Sequence, residues 1–180
     1  MAGYQSYNDA AKKILEENKY MVLSTSDLDK APWGSVVFYA YGKNHEFYFF
    51  SAVDSRHAKN ISANPKIAFV IFDSKQKMGV AESIQAEGKA SFVSSDAVLR
   101  EVLKTYKDIR PSGVSDSELK RVIKTYTMRQ FPDSKMDPLK RYPPEEFSEA
   151  AELRFYKIKV TKLFLSGTMN RRTEIDLERI

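Results

Sequence analysis

Between Trp33 and Asp73 the chain leaves room only for single turns between its elements, and that crowding constrains the fold more than any other stretch. Trp33 to Tyr41 reads WGSVVFYAY, Gly42-Lys43-Asn44 supplies turn chemistry, and His45 to Ser51 reads HEFYFFS, the β-branched and aromatic content of a hairpin. After Ala52-Val53, either Asp54 or Ser55 can cap a short helix through Arg56, His57, Ala58, Lys59, Asn60 and Ile61. That helix must end near Asn64-Pro65, because proline disfavours helical backbone in the residue before it. Lys66 to Asp73 (KIAFVIFD) then returns as a strand. A helix start carries unpaired N–H groups and the positive end of the dipole. With the Ser55 hydroxyl, Arg56, His57 and Lys59 in the same turns, this corner suits a phosphate. Spacing alone leaves an ordinary solvated helix with surface cations equally open.

The rest of the chain reads as support for that stretch. Ala10, Ala11, Ile14 and Leu15 mark an amphipathic helix reaching about Asn18, and Tyr20 to Thr25 is a first strand. Within HEFYFFS, Phe47, Phe49 and Ser51 fall on one face, Tyr48 and Phe50 on the other. Apolar groups on both faces predict double cover, by a barrel interior on one side and a ligand or second subunit on the other. Val80 to Val93 predicts a long strand, with Gly88 placed for a bulge. Helices are expected from Ser95, with Val98, Leu99, Val102, Leu103 and Tyr106 as its stripe, and from the Ser115 to Glu118 capping box, with Leu119, Val122, Ile123 and Tyr126 buried. Phe131 to Glu149, rich in proline and charge, predicts an irregular connection. Leu153 to Leu165 alternates as a last strand, and the polar tail after Gly167 shows no core role.

Composition removes whole classes of function. The length of 180 residues, without a Pro/Gly-rich linker, predicts a single domain over residues 1–180. The absence of cysteine excludes disulfides, thiolate metal sites and cysteine nucleophiles, and two histidines are too few for a transition-metal site. The net charge of +5 is spread along the chain, with no basic stripe or reading motif, so no nucleic-acid partner is expected. No apolar run approaches the ~20 residues that span a bilayer, and no basic-then-apolar leader opens the chain. A cytoplasmic protein without a membrane partner is the expectation. Neither a hydrolytic triad nor a paired-carboxylate acid/base arrangement can be read from the sequence.

The order of strand, hairpin and strand, followed by SRHAKNI and NPKIAFVIF, resembles the flavin-binding split-barrel family related to pyridoxamine 5'-phosphate oxidase. The likeness covers Tyr20 to Val93, with an echo in the last strand. It implies a mainly β fold with peripheral helices: a split β-barrel of the FMN-binding type, with core strands in 20–93 and a final strand in 151–166, while the helical insertion in 95–131 lies outside the likeness. It further implies flavin mononucleotide (FMN) at a homodimer interface, two-electron oxidoreductase chemistry carried by the flavin, and a small-molecule substrate. On this resemblance Ser55, Arg56, His57 and Lys59 hold the phosphate, with Arg56 matching the family's arginine and His57 standing where the oxidases have lysine. Trp33, Gly34, Ser35, Val36 and Val37 lie along the flavin ring, Phe50 and Ser51 close the site at the strand end, and Ser83 or Gln85 adds a polar contact. The oxidases' carboxy-terminal Arg/His segment is not reproduced by Arg171-Arg172, so their substrate and reaction do not carry over. A non-catalytic carrier or sensor of flavin, haem or deazaflavin, built on the same barrel, is the alternative.

Overall fold

Alternating apolar residues build one antiparallel sheet that curls until its two ends belong to successive strands of the chain, separated by a single residue. The computed structural model describes residues 7–42, 45–77, 79, 82–93, 116–143, 152–167 and 172–179. Its strands are β1 (Tyr20–Ser26), β2 (Pro32–Phe38), β3 (Ala40–Tyr41), β4 (Glu46–Ala52), β5 (Lys66–Phe72), β6 (Ser83–Phe92), β7 (Leu153–Ser166) and β8 (Arg172–Glu174). The sheet runs β2-β1-β5-β6-β7-β4-β3, with β8 added to β7. The expected hairpin of WGSVVFYAY and HEFYFFS survives only at its tip, where Ala40 pairs with Tyr48 and Tyr41 with Phe47. Upstream, β2 turns away and pairs along its whole length with β1, from Pro32 opposite Ser26 to Phe38 opposite Tyr20. One continuous stretch therefore closes the barrel through β3 and splays it open through β2. The result is a split β-barrel, and β2 and β4 flank the split.

Inward residues of this sheet form the core. Ile67, Phe69 and Ile71 of β5, Ile84 and Ala86 of β6, and Tyr156, Ile158 and Val160 of β7 are buried together with Phe47 and Phe49 of β4. Alternation in β7 slips between Val160 and Leu163, where Thr161 is the extra residue opposite the step from Glu87 to Gly88. That bulge restores the inward phase for Leu163 and Leu165. Only glycine fits at 88, because a Cβ there would lie 2.6 Å from the Lys159 carbonyl oxygen. Helix α1 (Tyr7–Glu17) adds its buried Ala10, Ala11, Ile14 and Leu15 to the same core.

A second cluster corrects the expectation for Tyr48 and Phe50. Their face of β4 is covered by helix α3 (Asp116–Gln130) and the short α4 (Pro138–Arg141), not by a ligand or second subunit. Leu119, Val122, Ile123 and Tyr126 of α3 pack on Ala40, Tyr48 and Phe155, with Phe50 and Tyr142 at the margin. Two arginines fasten the helix. Arg121 meets the Glu46 carboxylate at 2.7 Å, and Arg129 stacks over Tyr39 and Tyr41 while donating to the carbonyls of Leu15 and Asn18 at the end of α1. The tail is also corrected: Ile175 is buried in the main core, beside Leu177. The helix expected from Ser95, the Lys43-Asn44 turn, the Ser115 cap and Arg171 lie outside the described residues. Among those described, no helix is long and apolar enough to cross a membrane.

Candidate functional site

Helix α2 (Arg56–Ala63) sits at the splayed end of the barrel, and its sequence fixes how. Ser55 is the N-cap, its hydroxyl oxygen accepting from the Ala58 amide at 3.3 Å while its own proton goes to the Ala52 carbonyl at 2.8 Å. His57, Ala58, Asn60 and Ile61 form the buried face. Asn60 donates to Thr25 Oγ1 at 3.0 Å and Asn64 to Ser26 Oγ at 3.0 Å, pinning the helix to β1. Neither contact has a signal in the sequence beyond the polar residues' place on an otherwise apolar face.

His57 lies across the split and is the hub of the site. Its Nδ1 is 3.1 Å from Ser35 Oγ on β2, and its Nε2 is 2.7 Å from Ser51 Oγ at the end of β4 and 3.1 Å from Ser55 Oγ. Phe49 meets the ring edge-on, with centroids 5.9 Å apart. At 9% exposure the imidazole is desolvated, which pushes its pKa below the usual histidine value and keeps it neutral. The side chain thus replaces the missing ladder between β2 and β4 with hydrogen bonds.

In front of the helix the groups are donors. Among the described residues, the amides of Arg56 and His57 have no hydrogen-bond acceptor, as befits the first turn of a helix. The exposed Arg56 guanidinium lies 4.4 Å from the Trp33 ring centre, and Lys59 is exposed one turn on. Along β2, Gly34 and Val36 face outward while Trp33 shares the other face with Ser35, toward α2, and nothing lies within 4 Å of where a Cβ on Gly34 would sit. A flat group would find open space there. Val37 points into the core. A phosphate needs several charge-assisted donors around its terminal oxygens, and this corner offers them in one turn.

Not every expected residue converges on this corner. Trp33, Ser35, Ser51, Ser55, Arg56 and His57 do. The Phe50 ring does not: it points to the opposite face of β4, against Tyr142 and Phe155. Ser83 is separated from β2 by β1 and β5 and lies beside Phe72 and Ser166, while Gln85 pairs with Val70 and Phe164. Neither reaches the corner within one chain. His45, at positive φ (60°), lies 3.7 Å from Glu178 and belongs to another part of the molecule. No cluster of three His, Cys, Asp or Glu side chains able to hold a metal ion occurs among the described residues.

A family model described as "Pyridoxamine 5'-phosphate oxidase" matches residues 7–129. A pyridoxine/pyridoxamine 5'-phosphate oxidase of Ehrlichia ruminantium is 31% identical over 90 residues, a match covering 50% of this chain and 44% of that protein. The matched stretch therefore spans less than half the length of this relative. Two solved structures share the fold. A haem-binding protein of Mycobacterium smegmatis aligns with TM-score 0.64 at 13% identity, over 99% of this chain and 61% of the other. A candidate pyridoxamine 5'-phosphate oxidase of Listeria innocua aligns with TM-score 0.52 at 14% identity, over 92% and 100%.

Proposed function

The chain belongs to the pyridoxamine 5'-phosphate oxidase family, and from that premise we propose that it is a flavoprotein that binds FMN at the α2 corner. The observation that carries this reading is the set of donors gathered there: the unpaired amides of Arg56 and His57, the Arg56 guanidinium and the half-buried Ser51 hydroxyl. They fit a phosphomonoester, and the open outward face of β2 fits a flat ring beside it. When bound, the flavin supplies two-electron redox chemistry, and the protein's part is to bind, orient and admit a small-molecule substrate. No side chain is asked to act as acid or base.

Dimerisation through the outward sheet face belongs to the same proposal. Val36 on β2, Tyr20 on β1 and Phe72 on β5 are 69%, 59% and 46% exposed, an apolar surface of the kind that partners cover. Ser83, on the same sheet beyond β5, would then reach a cofactor bound by the second subunit.

The test is titration of the purified protein with FMN and with riboflavin, which lacks the phosphate. FMN is expected to bind more tightly, and Arg56→Ala to weaken FMN by about 1.5–3 kcal/mol, the scale of a hydrogen bond to a charged group, without changing riboflavin. Equal affinity for the two flavins overturns the phosphate corner. Bleaching of bound flavin by NAD(P)H supports an oxidoreductase. The alternative, a haem binder, draws on the Mycobacterium smegmatis neighbour. It requires His57 to give up one of its hydroxyl contacts or His45 to leave Glu178, and a protein that is colourless as purified and takes up added haem would favour it.

A further inference from the structure

Around His57 every hydrogen-bonding proton has a defined place except one. The Ser55 hydroxyl faces the Ala52 carbonyl at 2.8 Å, an atom that can only accept, so the Ser55 proton is committed there. One lone pair of the same oxygen takes the Ala58 amide at 3.3 Å. What Ser55 Oγ still offers His57 Nε2, 3.1 Å away, is a lone pair, so Nε2 must carry the ring proton. In a neutral imidazole Nδ1 is then the acceptor, and it takes the Ser35 proton across 3.1 Å. Ser51 Oγ, 2.7 Å from Nε2, accepts from the ring. Its own proton has no acceptor among the described residues.

We infer that His57 is a positioning residue: with its proton on Nε2, it turns the Ser51 hydroxyl proton away from the ring, to be donated to a terminal oxygen of a phosphate monoester. This rests on the FMN reading of the corner and adds the role of a side chain that the ligand does not touch. The other tautomer would set lone pairs of Nε2 and Ser55 Oγ against each other at 3.1 Å and draw the Ser51 proton back into the ring. Ser51 would then present only lone pairs to an anion. With the tautomer fixed, Ser51 joins Arg56 and the amides of Arg56 and His57 as a donor. Such a set selects unprotonated, anionic oxygens.

Two measurements decide it. The ring-nitrogen chemical shifts of ¹⁵N-histidine in the flavin-free protein should report His57 protonated at Nε2 and bare at Nδ1; the reverse pattern overturns the inference. In parallel, FMN and riboflavin affinities are compared across variants. Ser51→Ala and His57→Leu should each weaken FMN about tenfold or more and spare riboflavin. Their combination should cost no more than either alone, because both remove the same donated proton. His57→Gln, which keeps an N–H near Nε2, should restore most of the FMN affinity. Full FMN affinity in Ser51→Ala, or losses in Ser51→Ala and His57→Leu that simply add, overturn the inference. A wild-type protein that binds neither flavin sinks the flavin reading alone, and the ring-nitrogen shifts still decide the tautomer.

Discussion

At the scale of single residues, the site depends on side chains that each serve both fold and chemistry. Ser55 ends the strand-to-helix turn and caps α2, so Ser55→Ala should lower stability by about 1 kcal/mol; thermal melts that superimpose on wild type would contradict the cap. His57 makes stability pH-dependent with a definite sign. Burial lowers its pKa from 6.5, so as pH falls the unfolded chain takes up this proton before the folded one does. The contribution is complete above 6.5 and is lost as pH falls through the window beneath it. The ring faces Ser35, Ser51, Ser55 and Phe49, all uncharged, and burial is the cause of the shift. Urea midpoints from about pH 7 to about pH 5 should therefore fall more steeply for wild type than for His57→Gln, and parallel curves would remove His57 as the cause. The residues of this corner were legible in the sequence because a cap, an arginine and a terminating Asn-Pro sit at helix spacing. Their organisation around His57 was not, since Ser35 lies 22 positions away and nothing local announces that separation.

Elements were legible where periodicity is long and local. The bulge in β7 shows as a slipped alternation between Val160 and Leu163, with Gly88 facing it. Gly88→Ala should cost about 1–3 kcal/mol, the scale of overpacking, because its methyl would press on the Lys159 carbonyl; a neutral urea denaturation result would mean that the two strands can move apart there. The partner of an element is a non-local choice, and there the sequence misled. Tyr48 and Phe50 look the same whether a ligand, a subunit or a helix covers them, and the cover is α3. Ile175 is a lone apolar residue in a polar tail, too short a signal to reveal that it reaches the core.

At the scale of the whole molecule, the splayed barrel presents two kinds of outward face, and the difference marks which of them suits the proposed dimer. The β4 and β7 face is occupied by α3, so Ile123, on the buried side of that helix, is a matter of stability: Ile123→Ala should cost about 2–5 kcal/mol. The β2, β1 and β5 face carries Val36, Tyr20 and Phe72 in the open. Covering them would bring a second chain against the same strand that borders the α2 corner. Assembly and flavin binding should therefore fail together. Val36→Lys places a charge in the middle of that face and touches none of the core, so light scattering should report a dimer for wild type and a monomer for the variant. FMN affinity should drop with it while the thermal unfolding of the monomer stays cooperative. A Val36→Lys protein that remains dimeric with undiminished FMN affinity would place the contact elsewhere and separate the corner from the interface.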